Sequence, residues 1–139
     1  MAADPARLIW SLTNSGIGTT ISANGNSGAW QAPGVPPWTP NAVSAIDLRY
    51  VEDIWIAVSV GAIVSSPTLV VKLNVFDGQG SKFLVYAFSA LTTATTEQVS
   101  LGKHGSAASA YIVYPEWGQI AWTCSGGSAT GTEIAVYGR

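Results

Sequence analysis

Charge is what this chain has least of. Only 6 basic and 8 acidic side chains serve 139 residues, so 10% of the chain is charged where soluble domains carry about a quarter. A folded monomer of this mass exposes roughly 6,800 Å². That leaves about one charge per 490 Å², less than half the usual density, and thin protection against association. The basic residues Arg7, Arg49, Lys72, Lys82, Lys103 and Arg139 are scattered singly along the sequence. With a net charge of −2, the chain lacks the clustered positive footprint of a nucleic-acid binder. One cysteine, Cys124, excludes an internal disulfide and a cysteine-based zinc site. The one histidine, His104, leaves little for a metal centre. The first residues, Met1-Ala2-Ala3-Asp4-Pro5, carry no basic and apolar leader pattern for export. The most apolar stretch, Ile54 to Val64, is broken by Ser59 and Gly61 and falls short of the ~20 residues of a membrane-spanning helix. The expectation is a soluble protein made in the cytoplasm, with no membrane and no nucleic-acid partner.

What is present alternates with a period of two. Ile54, Ile56, Val58 and Val60 fall on one strand face, with Trp55, Ala57 and Ser59 on the other. Leu69, Val71, Leu73 and Val75 repeat the pattern opposite Val70, Lys72 and Asn74. Around Phe83–Phe88 both faces are apolar, as in a central strand covered on two sides. Further strands are predicted at Leu8–Thr13, Thr19–Ala23, Val43–Tyr50, Glu97–Leu101, Ala110–Tyr114, Gln119–Cys124 and Thr132–Tyr137. These runs are rich in Val, Ile, Thr, Tyr and Trp, which suit a pleated, half-buried surface. No apolar stripe of helical period is long enough to predict a helix, beyond possible short turns near Ser106–Ser109.

Turn residues divide these runs. Asp77-Gly78-Gln79-Gly80 reads as a hairpin loop, and Ser65-Ser66-Pro67, Lys103-His104-Gly105, Pro115–Gly118 and Ser125-Gly126-Gly127-Ser128 read as further loops. Eight to ten short strands in one domain spanning residues 1–139 predict an all-β, antiparallel β-sandwich of jelly-roll type. The Cys…Trp…Cys spacing of immunoglobulin domains is absent. The segment at about 29–42 stands apart, because Ala29 to Pro40 holds four of the seven prolines and two of the six tryptophans. Proline removes donors and fixes φ, so this stretch runs extended. It is either a loop folded over its own sandwich or an arm laid on a neighbouring subunit.

Parts for catalysis are scarce. His104 reads as a loop residue rather than a general base, and no G-x-S-x-G context marks a nucleophile. Cys124 falls in the strand pattern Ile120, Trp122, Cys124 and reads as a small buried hydrophobe. Glycoside hydrolysis needs a carboxylate pair. Glu116, Glu133, Asp47 and Glu97 are the nominees, and none forms a recognisable pair. Asp77 stands alone among its loop neighbours, too few oxygens for calcium. The reading is a non-enzyme with no cofactor and no metal. A carbohydrate-binding module is a second possibility, since tryptophans stack on sugar rings. Trp117, in the Pro115–Gly118 turn, is the tryptophan expected to be most exposed.

The whole-chain pattern resembles the cementing, or decoration, proteins of tailed bacteriophage capsids, of the jelly-roll kind found in Bordetella phages. The strands from Ile54 to Phe88, the Trp30–Pro40 segment and the last strand, Thr132–Tyr137, ending at Arg139, carry the resemblance. It implies a protein on the capsid exterior that ties major capsid protein subunits together. No short motif accompanies it, so no functional residue is carried over. The expected partners are the major capsid protein and the chain itself, as a dimer or trimer. Residues in irregular or terminal sequence are the contact candidates: Arg7, Trp10, Trp30, Val35, Trp38, Trp117 and Arg139. If Trp38 is a contact residue, Trp38→Ala weakens association without unfolding the domain. A tail or fibre subunit is the remaining alternative.

Overall fold

The computed structural model describes residues 5–13, 18–27, 46–76, 82–102 and 117–139. Among them every regular element is a strand: β1 (Arg7–Ser11), β2 (Thr19–Ile21), β3 (Gly25–Asn26), β4 (Ile46–Asp47), β5 (Asp53–Val60), β6 (Ala62–Phe76), β7 (Lys82–Ala87), β8 (Thr95–Gly102) and β9 (Trp117–Gly138). No described helix is long and apolar enough to cross a membrane. All strand pairings are antiparallel. The fold is therefore all-β and antiparallel, a sheet curled into a β-sandwich consistent with the jelly-roll class.

β9 organises it. Over Glu133–Gly138 this strand lies between β1 and β5, with β8 beyond β5. Over Trp117–Thr132 it lies between β6 on one side and the short β2, β3 and β4 on the other, with β7 beyond β6. A straight strand of this length would reach about 70 Å, so it must bend to serve both halves. The bend falls where β5 gives way to β6. Gly61 donates its N–H to the Thr130 carbonyl at 3.1 Å, and Gly131 takes a φ of +59°. Gly18 packs there so closely that a Cβ on it would come within 2.3 Å of the Gly131 carbonyl carbon. Strands that change sheets commonly do so at such bends.

Two predicted loops prove to be part of strands. Ser65-Ser66-Pro67 lies within β6, and Ser125–Ser128 lies within β9, so Gln119–Cys124 and Thr132–Tyr137 are one strand. The reason is that the breakers face each other. The register passes from Ser65↔Gly127 to Thr68↔Ser125, so Ser66 and Pro67 share the single Gly126 in a β-bulge. Positive φ at Ser65 (65°) and Gly126 (82°) absorbs the distortion, and neither strand has to end. β7 is also corrected. Among the described residues it pairs with β6 alone, at the end of the strand order, rather than lying centrally. Apolarity on two faces reports coverage, which does not fix a strand's place in the hydrogen-bonded order.

The alternation in β5 is as predicted, and that in β6 holds except at Asn74, which is buried and donates to Gln119. Ile54, Ile56, Val58 and Val60 are buried and alternate with half-exposed neighbours. Leu69, Val71, Leu73 and Val75 face them in one cluster with Leu101, Ile120, Ile134 and Val136. Each such side chain contributes about 1.5–3 kcal/mol through burial. Cys124 belongs to the same cluster, a free thiol lying 3.5 Å from the Ile21 carbonyl. The predicted strand at Ala110–Tyr114, the loop at Asp77–Gly80 and the turns near Ser106–Ser109 lie outside the described residues, as does the 29–42 segment.

Candidate interaction site

The first strand and the end of the last one meet at one margin of the sheet. Arg7 pairs with Gly138, and Leu8 pairs with Tyr137. On the other side of β9, Tyr137 pairs with Trp55, which in turn pairs with Ser100 of β8. Directly opposed residues share a sheet face, so Leu8, Tyr137, Trp55 and Ser100 form one row across four strands. The row faces away from the core side chains Ile54 and Val136. Leu8 is 55% exposed and Tyr137 37%, an apolar surface of the kind that marks contact sites when contiguous.

Next to this row the chain turns between β4 and β5. Val51 donates its N–H to the Leu48 carbonyl, closing a tight reversal. Leu48 and Val51 are buried, and Tyr50 is thrown outward, 86% exposed. Asp47 fixes the turn by accepting from the Arg49 backbone N–H and from its Nε and Nη2, all at 2.9–3.0 Å. Hydrogen bonds from the Arg49 side chain hold the Asp47 carboxyl below its ordinary value of 3.8, slight burial working against them and the Arg49 backbone N–H and charge with them. The Arg49 guanidinium then lies 4.8 Å from the Trp117 ring centroid and 5.6 Å from that of Tyr50, within cation–π range.

Arg139 is anchored as firmly. Its carbonyl oxygen accepts the N–H groups of Glu52 and Asp53, and its own N–H donates to the Asp53 carbonyl. Its Nη2 reaches Asp53 Oδ2 at 2.9 Å while the guanidinium lies 5.3 Å from the Trp55 ring centroid. Between these pieces runs a groove of about 300 Å³. Pro5 and the β1 residues Arg7 and Ile9 line it on one side, Tyr50 and Val51 from the turn, and Gly138 of β9 with the adjoining Arg139 on the other. Buried Val51 and Gly138 sit close together, since a Cβ on Gly138 would meet Val51 at 2.9 Å. The three arginines of the chain, scattered in sequence, thus gather around Tyr50.

Of the predicted contact residues, the structure brings Arg7 and Arg139 together in this groove. Trp10 is half-buried and packs against the core. Trp117 was expected to be exposed, and it is not. It is 6% exposed, at the start of β9, because its backbone pairs with Asp47 of β4 and Phe76 of β6 and Arg49 lies over its ring. Trp30, Val35 and Trp38 lie outside the described residues. Sequence reasoning missed Tyr50 and Tyr137, which it had placed in ordinary strand patterns. The spacing Asp47-x-Arg49 was the available signal, since Asp side chains commonly bond the backbone two residues on.

Two of the four carboxylates offered for catalysis have other partners. Asp47 holds Arg49, and Glu133 accepts the Leu12 N–H at 3.0 Å and the Thr13 hydroxyl at 2.6 Å. Glu116 and His104 lie outside the described residues. Among the described residues no three His, Cys, Asp or Glu side chains are grouped to hold a metal ion. What the arrangement offers is a contact surface: rigid aromatics, exposed apolar side chains and guanidinium groups held in fixed orientations.

No family model matches the chain, and no curated protein matches its sequence. Among solved structures it is similar to a chain of infectious bursal disease virus, Gx strain, with a TM-score of 0.39 and 15% identity over 96% of this chain. The corresponding chain of the Gt strain gives 0.37 and 13% identity over 98%. A chain of the T13 particle of that virus gives 0.33 and 14% over 98%. The present chain spans 32% of the length of each. At these scores the likeness bears on neither mechanism nor partner.

Proposed function

We propose that this chain is a non-enzymatic structural protein of a bacteriophage virion, made in the host cytoplasm and bound to the capsid exterior, where it cements neighbouring major capsid protein subunits. The observation that carries this reading is the margin where Arg7, Arg139 and the exposed Tyr50 frame a groove beside the Leu8–Tyr137 pair. Tyr and Arg dominate the energetics of protein interfaces, and they do so best when held rigidly. The low charge of the chain supports it as well, because a weakly charged β-surface loses little hydration when covered by protein. A cement also works through many copies, so moderate affinity at each contact suffices. The whole-chain resemblance to jelly-roll decoration proteins points the same way.

The test is sedimentation of the purified protein alone and with expanded capsids assembled without it. Saturable co-sedimentation, with a dimer or trimer in the unmixed sample, is expected. A protein that ignores such capsids and stays monomeric would overturn the reading. Large closed assemblies or fibres formed by the protein alone would favour a tail or fibre subunit. The carbohydrate-binding alternative has lost its nominated platform, because Trp117 is buried under Arg49.

A further inference from the structure

We infer that the free edge of β8 pairs with the same edge of a second copy of the chain, antiparallel and about a two-fold axis at Gln98. The inference deepens the preceding reading, on whose expected self-association it rests. Hydrogen-bond direction carries it. Asp53 and Arg139 exchange both backbone bonds, so the Asp53 groups point toward β9. Direction alternates along an antiparallel strand, so Ile54, Ile56, Val58 and Val60 turn theirs toward β8. The unbroken β5–β8 register sets Leu101, Val99, Glu97 and Thr95 against them. The N–H and C=O groups of Thr96, Gln98, Ser100 and Gly102 are therefore directed outward. Among the described residues no strand lies on that side of β8, and Thr96, Gln98 and Ser100 are exposed.

The other described margins are guarded by the devices that native edges use, such as bulges, charge and short length. β1 carries a register shift between Leu8 and Trp10, and Arg7 besides. β7 is shifted opposite Leu73 and Asn74, and β2, β3 and β4 have three residues or fewer. β8 runs for 8 residues with no shift, no proline and no basic side chain. A two-fold axis at Gln98 sets Gln98 against itself and Thr96 against Ser100, each pair exchanging two bonds. Paired residues then share a face, so both sides of the sheet continue across the junction. Glu97, the one charged residue of the strand, meets Val99 of the copy rather than another Glu97. This self-complementarity of donors, faces and charge selects a second copy as the occupant. Such an isologous contact closes at two copies.

The test is sedimentation velocity of the full chain over a range of concentrations. The wild type should be a dimer that dissociates on dilution. Gln98→Lys and Gln98→Glu each place like charges across the axis and should self-associate about tenfold or more weakly. An equimolar mixture of the two variants should recover the dimer, because opposite charges then meet. Gln98 is exposed, so the urea midpoint measured at monomeric dilution should not move. A wild-type monomer or trimer, a dimer indifferent to both variants, or a mixture no more dimeric than its parts would overturn the inference. Co-sedimentation with capsids separates the two readings. If the wild type binds shells but is a monomer in solution, the cementing role stands and the paired edge falls. Loss of shell binding by Gln98→Lys would then assign the edge to a strand of the capsid protein. If the dimer obeys the charge swap yet ignores shells, the paired edge stands and the cementing role falls.

Discussion

At the scale of single residues, Asp47 shows how one short sequence spacing builds a surface. Its carboxylate holds the Arg49 backbone and side chain together, and Arg49 in turn covers Trp117. Because the carboxyl of Asp47 lies below its ordinary 3.8 in the folded protein, its contribution to stability is complete above that value. It is lost as pH falls from 3.8 through the lowered folded value. Both partners are close to half exposed, so the contribution stays below about 1 kcal/mol. Urea unfolding of the wild type and Asp47→Asn should therefore differ at neutral pH and converge in acid. A difference that ignores pH would show that the turn is held by something else.

At the scale of elements, the molecule depends on two long strands being allowed to bend. Predicted loops at Ser65–Pro67 and Ser125–Ser128 turned out to be a shared bulge, and the corner at Gly61 and Gly131 lets β9 serve both halves of the sandwich. The glycines there do different jobs. Gly131 supplies positive φ with ordinary contact distances around its missing Cβ, whereas Gly18 supplies closeness, its would-be Cβ lying 2.3 Å from the Gly131 backbone. Gly131→Ala should cost roughly 1–2 kcal/mol through backbone strain. Gly18→Ala should cost more, about 2–3 kcal/mol, because backbone cannot move aside as a side chain can. Chemical denaturation of both variants measures this order, and the reverse order would mean that the corner yields readily to a methyl group at Gly18.

At the scale of the whole molecule, the scarcity of charge has a direct solution consequence. With a net charge of −2 at neutrality and a pI near 5.1, self-repulsion is weak at pH 7 and vanishes near the pI. Light scattering should rise as pH approaches 5.1, and adding acidic residues away from the Arg7–Tyr50 margin should suppress it. If scattering stays flat through that pH, exposed apolar area is smaller than Leu8, Tyr50, Val64 and Tyr137 indicate. The same thin charge that endangers the free protein favours it once a partner covers the surface.

The sequence by itself determined the all-β class, the inward faces of β5 and β6 and the burial of Cys124, because a period of two fixes which side chains share a face whatever lies beyond it. It also named Arg7 and Arg139, though as separate ends of the chain. Only the tertiary structure decided that they meet, since their proximity depends on β1 pairing with the last residues of β9 across most of the chain's length. It alone decided that Trp117 is covered and Tyr50 exposed, because a turn residue's exposure depends on what packs over it. Loop or bulge at Ser65–Pro67 was likewise settled by the partner strand. Local sequence reports a breaker, and only the residue across the ladder determines whether the strand ends or bends.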